Sequence, residues 1–245
     1  MAPSDAETTR TLLQGRLPAV LRLAGYAVWW PVVHAADCCG QVLLLVRDDS
    51  ELAVALTEWG PGRVPAAVWA RDVPPLAGAP GRGRAGIAGR IGRLYGEAER
   101  SALAEFAQAR PEPGLLDVGR GASLYRIEPE LVRRDADGKT HYIDVEDYME
   151  AWPDPLHPDE RDLLVDLRER HAVRIGVFLG RRLAVPVDAR LPLPVRVDRH
   201  GFTVDVADTA ASRWRRLDFP RPVTNRVDLA GLLQPVLAHD NADRW

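Results

Sequence analysis

Short apolar runs separated by polar breaks make up most of the first two-thirds of the chain. Residues 19–33 and 41–47 are rich in Val, Leu and aromatic residues and have a Gly-containing break between them, which predicts strands joined in a hairpin. Residues 65–73, 82–94 and 122–134 have the same character and predict further strands. Many strands with few helices between them predict a small β-barrel.

Helical patterns interrupt this series of strands at three places. Polar residues at the start of the chain can cap a first helix that runs to about Gln14. Asp48 and Glu51 have the spacing of a capping box before the apolar run that follows them. Residues 97–109 form an amphipathic pattern that Pro111 ends.

The composition changes at residues 152–160, WPDPLHPDE, where three prolines fall close together. We place a domain boundary in this segment, because prolines restrict the backbone on both sides. Pro158 fits the first position of a long helix that extends to about Arg182. Three strands and a last helix from about Asn225 follow. The predicted domains are residues 1–151 and residues 152–245, the second with the order α-β-β-β-α.

Charge and hydropathy exclude several classes of partner. The 245 residues carry a formal net charge of -3, with a pI near 6.1, so no overall basic excess favours nucleic acid. The N-terminal segment lacks the apolar core of a secretory signal, and the apolar runs are too short to cross a bilayer. We therefore expect a cytoplasmic protein with neither a nucleic-acid nor a membrane partner.

The segment 28–46 brings a histidine and the two cysteines of the chain together in sequence. Strand alternation places His34 at the end of an apolar face. His34, Asp37, Cys38 and Cys39 could supply zinc ligands, but no second Cys or His pair with finger-like spacing accompanies them. The simpler interpretation is a hairpin loop with His34 beside it.

Residues 81–86, GRGRAG, match the G-x-G-x-x-G pattern of dinucleotide sites. That pattern requires a strand before it and a helix directly after it, and neither is predicted here. Alternation instead places Arg82, Arg84 and Arg90 largely on one strand face. This face could bind a carboxylate or a propionate, or could simply be solvated.

A second histidine, His171, falls in the apolar stripe of the predicted long helix. Leu164, Leu167, His171, Ile175 and Phe178 follow one another at steps of three or four residues. A histidine at such a position is either hydrogen-bonded in the core or ligates a cofactor. The pattern alone favours the hydrogen-bonded core histidine, because such histidines are commoner than ligands.

The C-terminal third resembles the last domain of haem-utilisation proteins related to the FMN-binding split barrels. The preceding two-thirds resembles the split barrel itself, with 32-VVHAADCCGQVLLLV-46 at an early hairpin. The resemblance implies an α+β protein, a split β-barrel followed by a small α-β-β-β-α domain. The best markers, within a match from about Asp154 to Leu237, are His171-Ala172, Asp198-x-x-Gly201-Phe202 and Phe219-Pro220-x-Pro222.

The resemblance implies a homodimer with a planar cofactor, haem b in many relatives and FMN in distant ones. It implies His171 as the ligand of the haem iron, with His34 and His239 as alternatives. Relatives tend to have an aspartate two residues after this histidine, where this chain has Val173. This departure concerns the hydrogen bonding around the imidazole rather than its ability to ligate.

The function implied is haem-dependent and enzymatic, similar to that of the piperazate synthases. These cyclise an N-hydroxylated ornithine by forming an N–N bond, so the substrate would be a small amino acid. The arginines Arg82, Arg84 and Arg90 could then hold the substrate carboxylate. No catalytic residue is identified. The alternatives are a haem-degrading oxygenase, a non-enzymatic haem-handling protein and an FMN-dependent oxidoreductase.

Overall fold

The computed structural model describes residues 2–60, 62–185, 191–206 and 213–238. These residues form two compact units. The barrel unit contains Asp5–Val73 and Arg82–Pro153. The C-terminal unit contains the described residues from Asp154 onward, together with residues 2–4 and Pro74–Gly81.

Seven antiparallel strands form the sheet of the barrel unit. Six of them close into a barrel in the order β1-β2-β3-β6-β5-β4, because β3 pairs with β6 and β4 pairs with β1. The seventh strand, β7, adds to the free side of β6. The strands are β1 (Ala19–Leu23), β2 (Trp30–Ala36), β3 (Val42–Arg47), β4 (Val64–Arg71), β5 (Arg84–Arg93), β6 (Ala122–Ala136) and β7 (Lys139–Ile143).

Alternating apolar residues of these strands fill the barrel, as the period of two in the sequence predicts. Leu21, Val68, Ile87 and Ile127 are examples from four strands, each at most 1% exposed. A smaller apolar cluster covers the outer side of β2, β3 and β6, where Phe106 packs with Leu43, Ala35 and Leu124. The helices are α1 (Asp5–Leu12), α2 (Glu51–Glu58), α3 (Gly96–Ala109) and α4 (Val145–Glu150), with a 3-10 turn at Pro113–Asp117.

Two local predictions for the barrel unit are wrong. The apolar run 19–33 does not form one strand, because a turn divides it between β1 and β2. The cap of α2 is Ser50 rather than Asp48, since the Ser50 hydroxyl accepts a hydrogen bond from the backbone N–H of Ala53. Asp48 instead accepts a hydrogen bond from the hydroxyl of Ser123 at 2.7 Å.

The C-terminal unit packs helices against a three-stranded antiparallel sheet of order β10-β9-β8. Its core includes Phe178, Phe202 and Phe219, and the last two rings meet edge to face with centroids 5.0 Å apart. The elements are α5 (Glu160–Glu169), α6 (Ala172–Leu183), β8 (Leu193–Asp198), β9 (Gly201–Asp205), β10 (Trp214–Asp218) and α7 (Arg226–Ala238), after a 3-10 turn at His157–Asp159.

The predicted long helix from Pro158 to Arg182 is broken at His171. The backbone of His171 leaves the helical region, with φ -125° and ψ 12°, so α5 ends before it and α6 begins after it. Leu164 and Ile175 still reach the same core from the two helices. The apolar stripe is therefore real, but His171 lies at the helix junction rather than within a helical face. Within the described ranges, no helix is long and apolar enough to span a membrane.

Candidate functional site

Two rows of side chains cross the outer face of strands β4 to β6. In the first row Trp69 pairs with Gly86, which pairs with Arg133. In the second row Arg71 pairs with Arg84, which pairs with Asp135. These residues come from distant parts of the chain, and the strand pairing alone brings them together.

Trp69 is the centre of this face. The guanidinium carbon of Arg84 lies 4.8 Å from the Trp69 ring centroid, and that of Arg133 lies 4.6 Å from it. Both distances are within cation–π range. A side chain at Gly86 would come within 2.6 Å of the indole. Glycine is therefore required here because the indole packs directly on the backbone of β5.

The charge of the face is positive despite one carboxylate. Asp135 accepts hydrogen bonds from Arg84 at 2.8 Å, from Arg133 at 2.9 Å and from the Thr140 hydroxyl at 2.9 Å. The Arg133 hydrogen bond is the main cause that lowers the pKa of Asp135 to about 2. Arg71 has no ion-pair partner in the part of the chain that the structure describes. Three guanidinium groups against one carboxylate leave capacity for an added anion.

A shallow cavity adjoins these rows on the same face. It has a volume of about 360 Å³, and small residues, Ala67, Ala88 and Gly89, form much of its floor. Leu131, which is 44% exposed, lies at its side. Arg22 and Glu130 also line the cavity, whose surface is otherwise apolar. Such a surface next to clustered guanidinium groups suits a planar molecule with acid groups.

The three arginines singled out in the sequence do not form one clamp. Arg84 belongs to the face just described. Arg90 lies six residues further along β5, about 20 Å away by strand geometry, and pairs with Glu130 at 3.1 Å. Arg82 precedes the strand, where its backbone N–H donates to Asp72 at 2.7 Å.

Sequence reasoning missed Trp69, Arg71 and Arg133. The alternation in 65-PAAVWAR-71 does place Trp69 and Arg71 on one strand face, so part of the signal was present. The register that sets Arg133 beside them cannot be read from a single strand.

The glycines of the GRGRAG segment have structural causes. Gly83 has a positive φ of 85°, and a side chain there would come within 2.1 Å of the carbonyl oxygen of Asp135. Gly86 makes room for Trp69. The second half of the segment already belongs to β5, which begins at Arg84, and no helix follows directly, so the context of a dinucleotide site is absent.

His34 is fully buried on the inner side of the barrel. It pairs across β2 and β3 with Leu44, a core residue, and both of its ring nitrogens lack a hydrogen-bond partner among the described residues. Burial, with a smaller contribution from the charge of Arg110, lowers the pKa of His34 to about 4. The imidazole is therefore neutral at pH 7.

The candidate zinc ligands do not come together. His34 is inside the barrel, whereas Cys38 and Cys39 are exposed at the tip of the β2–β3 hairpin. The side chain of Asp37 is used locally and accepts a hydrogen bond from the backbone N–H of Gln41 at 2.8 Å. No group of three or more metal-ligating side chains forms among the residues described.

His171 is part-exposed, with 30% of its side chain accessible. Its Nε2 atom lies 4.0 Å from a carboxylate oxygen of Asp166, one turn earlier in α5. This distance is too long for a hydrogen bond, so Asp166 is a charged neighbour of the ring rather than a bonded partner. The alternative ligand His239 lies outside the described residues.

A second polar cluster is buried in the C-terminal unit. Glu160 accepts a hydrogen bond from the backbone N–H of Val197 at 3.2 Å and lies 3.6 Å from the guanidinium of Arg196. Both charged side chains are almost fully buried. The His157 ring lies 3.7 Å from the same carboxylate. Because these side chains are buried, they do not form an open site.

No protein-family model matches the chain, and no curated protein matches it. Among solved structures, the chain is similar to the heme binding protein from Mycobacterium smegmatis, with a TM-score of 0.70 and 20% identity over 98% of this chain and 100% of that chain. This similarity shows that the chain has the α+β split-barrel fold, which confirms the predicted fold class.

Lower similarities extend over part of the chain. One is to ChuZ from Campylobacter jejuni, with a TM-score of 0.43 and 15% identity over 56% of each chain. Another is to the FAD binding protein from Mycobacterium smegmatis, with a TM-score of 0.36 and 16% identity over 58% of this chain and 98% of that chain.

Proposed function

We propose that this chain is a haem-binding protein whose barrel unit binds the acid groups of the cofactor. The observation that carries the proposal is the outer barrel face, where Trp69, Arg71, Arg84 and Arg133 adjoin a flat cavity of small residues. The heme binding protein from Mycobacterium smegmatis, similar over the full length of both chains, supports haem as the planar molecule.

The donor set of the barrel face fits haem. Haem is a flat, largely apolar ring with two carboxylates at one edge. Guanidinium groups donate strong hydrogen bonds to carboxylates, and Arg71 and Arg84 are neighbours across β4 and β5. The indole of Trp69 offers an aromatic surface.

We propose His171 as the ligand of the haem iron. Its imidazole is part-exposed and has a carboxylate nearby. His34 is a weaker candidate, because its ring is fully enclosed by the barrel. Haem held through one imidazole would supply an iron with an open coordination position.

Absorption spectra of the haem-loaded protein and its histidine variants test both parts of the proposal. We expect a Soret band in the wild type that is lost in His171→Ala and kept in His34→Leu, which preserves an apolar barrel interior. His239→Ala should also keep the band. A band that survives in His171→Ala would reject this ligand. A wild-type protein that takes up no haem would reject the function.

Arginine variants test the barrel face independently of the iron ligand. Arg84→Gln should weaken haem binding about tenfold, because it removes one charge-assisted interaction with an acid group. Arg47→Gln is the matched control, since Arg47 is also an exposed arginine of the barrel unit that is paired with a carboxylate, Asp49, and neither residue lines the cavity. Equal affinities of the two variants would contradict the placement. Tight binding of FMN but not of haem would assign the same face to a flavin.

The chemistry of the bound haem is a finer proposal that rests on the family resemblance. We propose N–N bond-forming cyclisation of an N-hydroxylated ornithine, assayed by mass spectrometry of the product with the haem-loaded protein. Breakdown of the haem in the presence of a reductant would instead indicate an oxygenase. The absence of both reactions would favour haem handling. The homodimer also remains a proposal, and light scattering tests it.

A further inference from the structure

The loop that carries the two cysteines is a tight, well-fixed turn. Its ends are closed by hydrogen bonds from the Asp37 N–H to the Gln41 carbonyl at 2.9 Å and from the Gly40 N–H to the Asp37 carbonyl at 3.0 Å. Gly40 has a positive φ of 89°, as the last residue of a three-residue hairpin loop requires. Cys38 and Cys39 are the two central residues of the four-residue turn from Asp37 to Gly40.

Side chains from three helices hold the backbone of this loop in place. The Cys38 N–H donates to Glu105 of α3 at 3.1 Å, and the Cys38 carbonyl accepts from Arg10 of α1 at 3.1 Å. The hydroxyl of Tyr148 in α4 donates to the Gly40 carbonyl at 2.8 Å. Tyr148 is fully buried, and burial raises its pKa to about 12, so this hydroxyl stays a donor.

The two thiols are the exposed part of this fixed loop. Both cysteines are solvent-exposed, and their sulfur atoms lie 3.7 Å apart. In a flexible chain, two neighbouring thiols must first be ordered before both can bind the same ligand atom. Here folding has already ordered the backbone of the loop. Binding a ligand that bridges both sulfurs therefore costs the protein less conformational entropy.

The charge around the loop determines which bridging ligand is favoured. Two causes raise the pKa of Cys38: first its hydrogen bond with the Cys39 thiol, and second the negative charge of Glu105. The Cys38 thiol therefore stays protonated at pH 7. A divalent metal ion must displace a proton from each thiol, and a raised pKa opposes this. A trivalent arsenical condenses with two neutral thiols and releases only water, so the same raised pKa does not oppose it.

We propose that Cys38 and Cys39 form a dithiol site for monosubstituted trivalent arsenicals. Two S–H bonds and two As–OH bonds break, two As–S bonds form, and two water molecules leave. Arsenic stays trivalent, so no oxidant or reductant takes part. The site is independent of the haem proposal, because it uses none of the residues assigned to the cofactor.

Titration of the reduced full-length protein with phenylarsine oxide tests the site by intact mass. We expect one arsenical per chain in the wild type and none in Cys38→Ser or Cys39→Ser. A small dithiol should reverse the adduct, whereas a monothiol at the same concentration should not. An adduct that survives in either single variant would overturn the proposal.

A peptide with the sequence 35-AADCCGQ-41 separates a built site from the general reactivity of neighbouring thiols. The folded protein should bind the arsenical at least ~10-fold more tightly than the peptide, because its loop is already ordered. Equal affinities would overturn the proposal. Glu105→Gln gives a second readout: alkylation of Cys38 by iodoacetamide should reach its plateau at lower pH than in the wild type. An unchanged pH profile would contradict the assigned effect of the carboxylate.

Discussion

The strand-lined interior of the barrel and the core of the C-terminal unit differ in how their buried polar groups are bonded. Inside the barrel unit, the imidazole of His34 is enclosed without a hydrogen-bond partner among the described residues. In the C-terminal unit, buried carboxylates are bonded to the backbone. Asp154 accepts from the N–H groups of Leu156 at 3.0 Å and Arg199 at 3.1 Å, and Asp198 accepts from His200 at 2.9 Å. Asp37 and Asp72 of the barrel unit also accept from backbone N–H groups, but they lie beyond the ends of β2 and β4.

The difference follows from the topology of the two sheets. A closed barrel has no edges, so neighbouring strands satisfy one another's N–H and C=O groups. A three-stranded sheet has two edges and turns close to its core, and side chains must bind the backbone groups left over. The buried carboxylates of the C-terminal unit therefore bond backbone N–H groups in its turns that the sheet does not pair. The charge of one of these carboxylates is balanced by a cation, since Arg216 lies 2.6 Å from Asp198.

Removing one of these buried charges should have the largest effect on stability. Glu160→Leu leaves Arg196 buried without its carboxylate and the Val197 N–H without its acceptor. We expect a loss of about 3–5 kcal/mol in the free energy of unfolding, measured by urea denaturation. Glu160→Gln keeps an acceptor and should lose less. A loss below that of the Gln variant would contradict the structural role.

Acid should destabilise the barrel through His34. The pKa of His34 is lowered from 6.5 to about 4 in the folded protein, so the unfolded chain binds a proton first as the pH falls. The contribution of neutral His34 to the free energy of unfolding is fully present above pH 6.5. This contribution is lost as the pH falls towards 4, by about 3 kcal/mol in total. Urea midpoints across this range should show the slope in the wild type and a smaller one in His34→Leu. Identical slopes would exclude His34 as the cause.

At pH 7 the same substitution should stabilise the barrel. A buried imidazole without a partner carries a desolvation penalty that leucine does not. We expect His34→Leu to raise the free energy of unfolding by about 1 kcal/mol. A marked loss of stability would mean that the ring nitrogens have a partner, such as a bound water, and would weaken the contrast between the two interiors.

The smallest effect is expected on the outer barrel face. Arg84 is 55% exposed, and its ion pair with Asp135 is screened by solvent. Arg84→Gln should change the free energy of unfolding by less than about 1 kcal/mol, in contrast with Glu160→Leu. Thermal denaturation can measure this change. A small value would also show that weaker haem binding by this variant is not caused by unfolding.

The sequence predicts the barrel better than the site. Alternation identifies the strands because one side of each faces an apolar interior, and this holds for residues as far apart as Leu21 and Ile127. The break at His171 is not visible, because apolar residues on both sides keep a helical period. Pairing between strands sets Arg133 beside Trp69, and a single sequence carries no direct record of that register.

Docking of β6 on β5 determines when the outer face exists during folding. Strand β6 supplies Leu131, Arg133 and Asp135, whereas Trp69 and Arg84 come from β4 and β5. Strand β6 is the last of the six barrel strands along the chain. A nascent chain therefore displays no complete outer face until its last barrel strand has docked. Cofactor uptake on this face would follow folding of the barrel and could not template it.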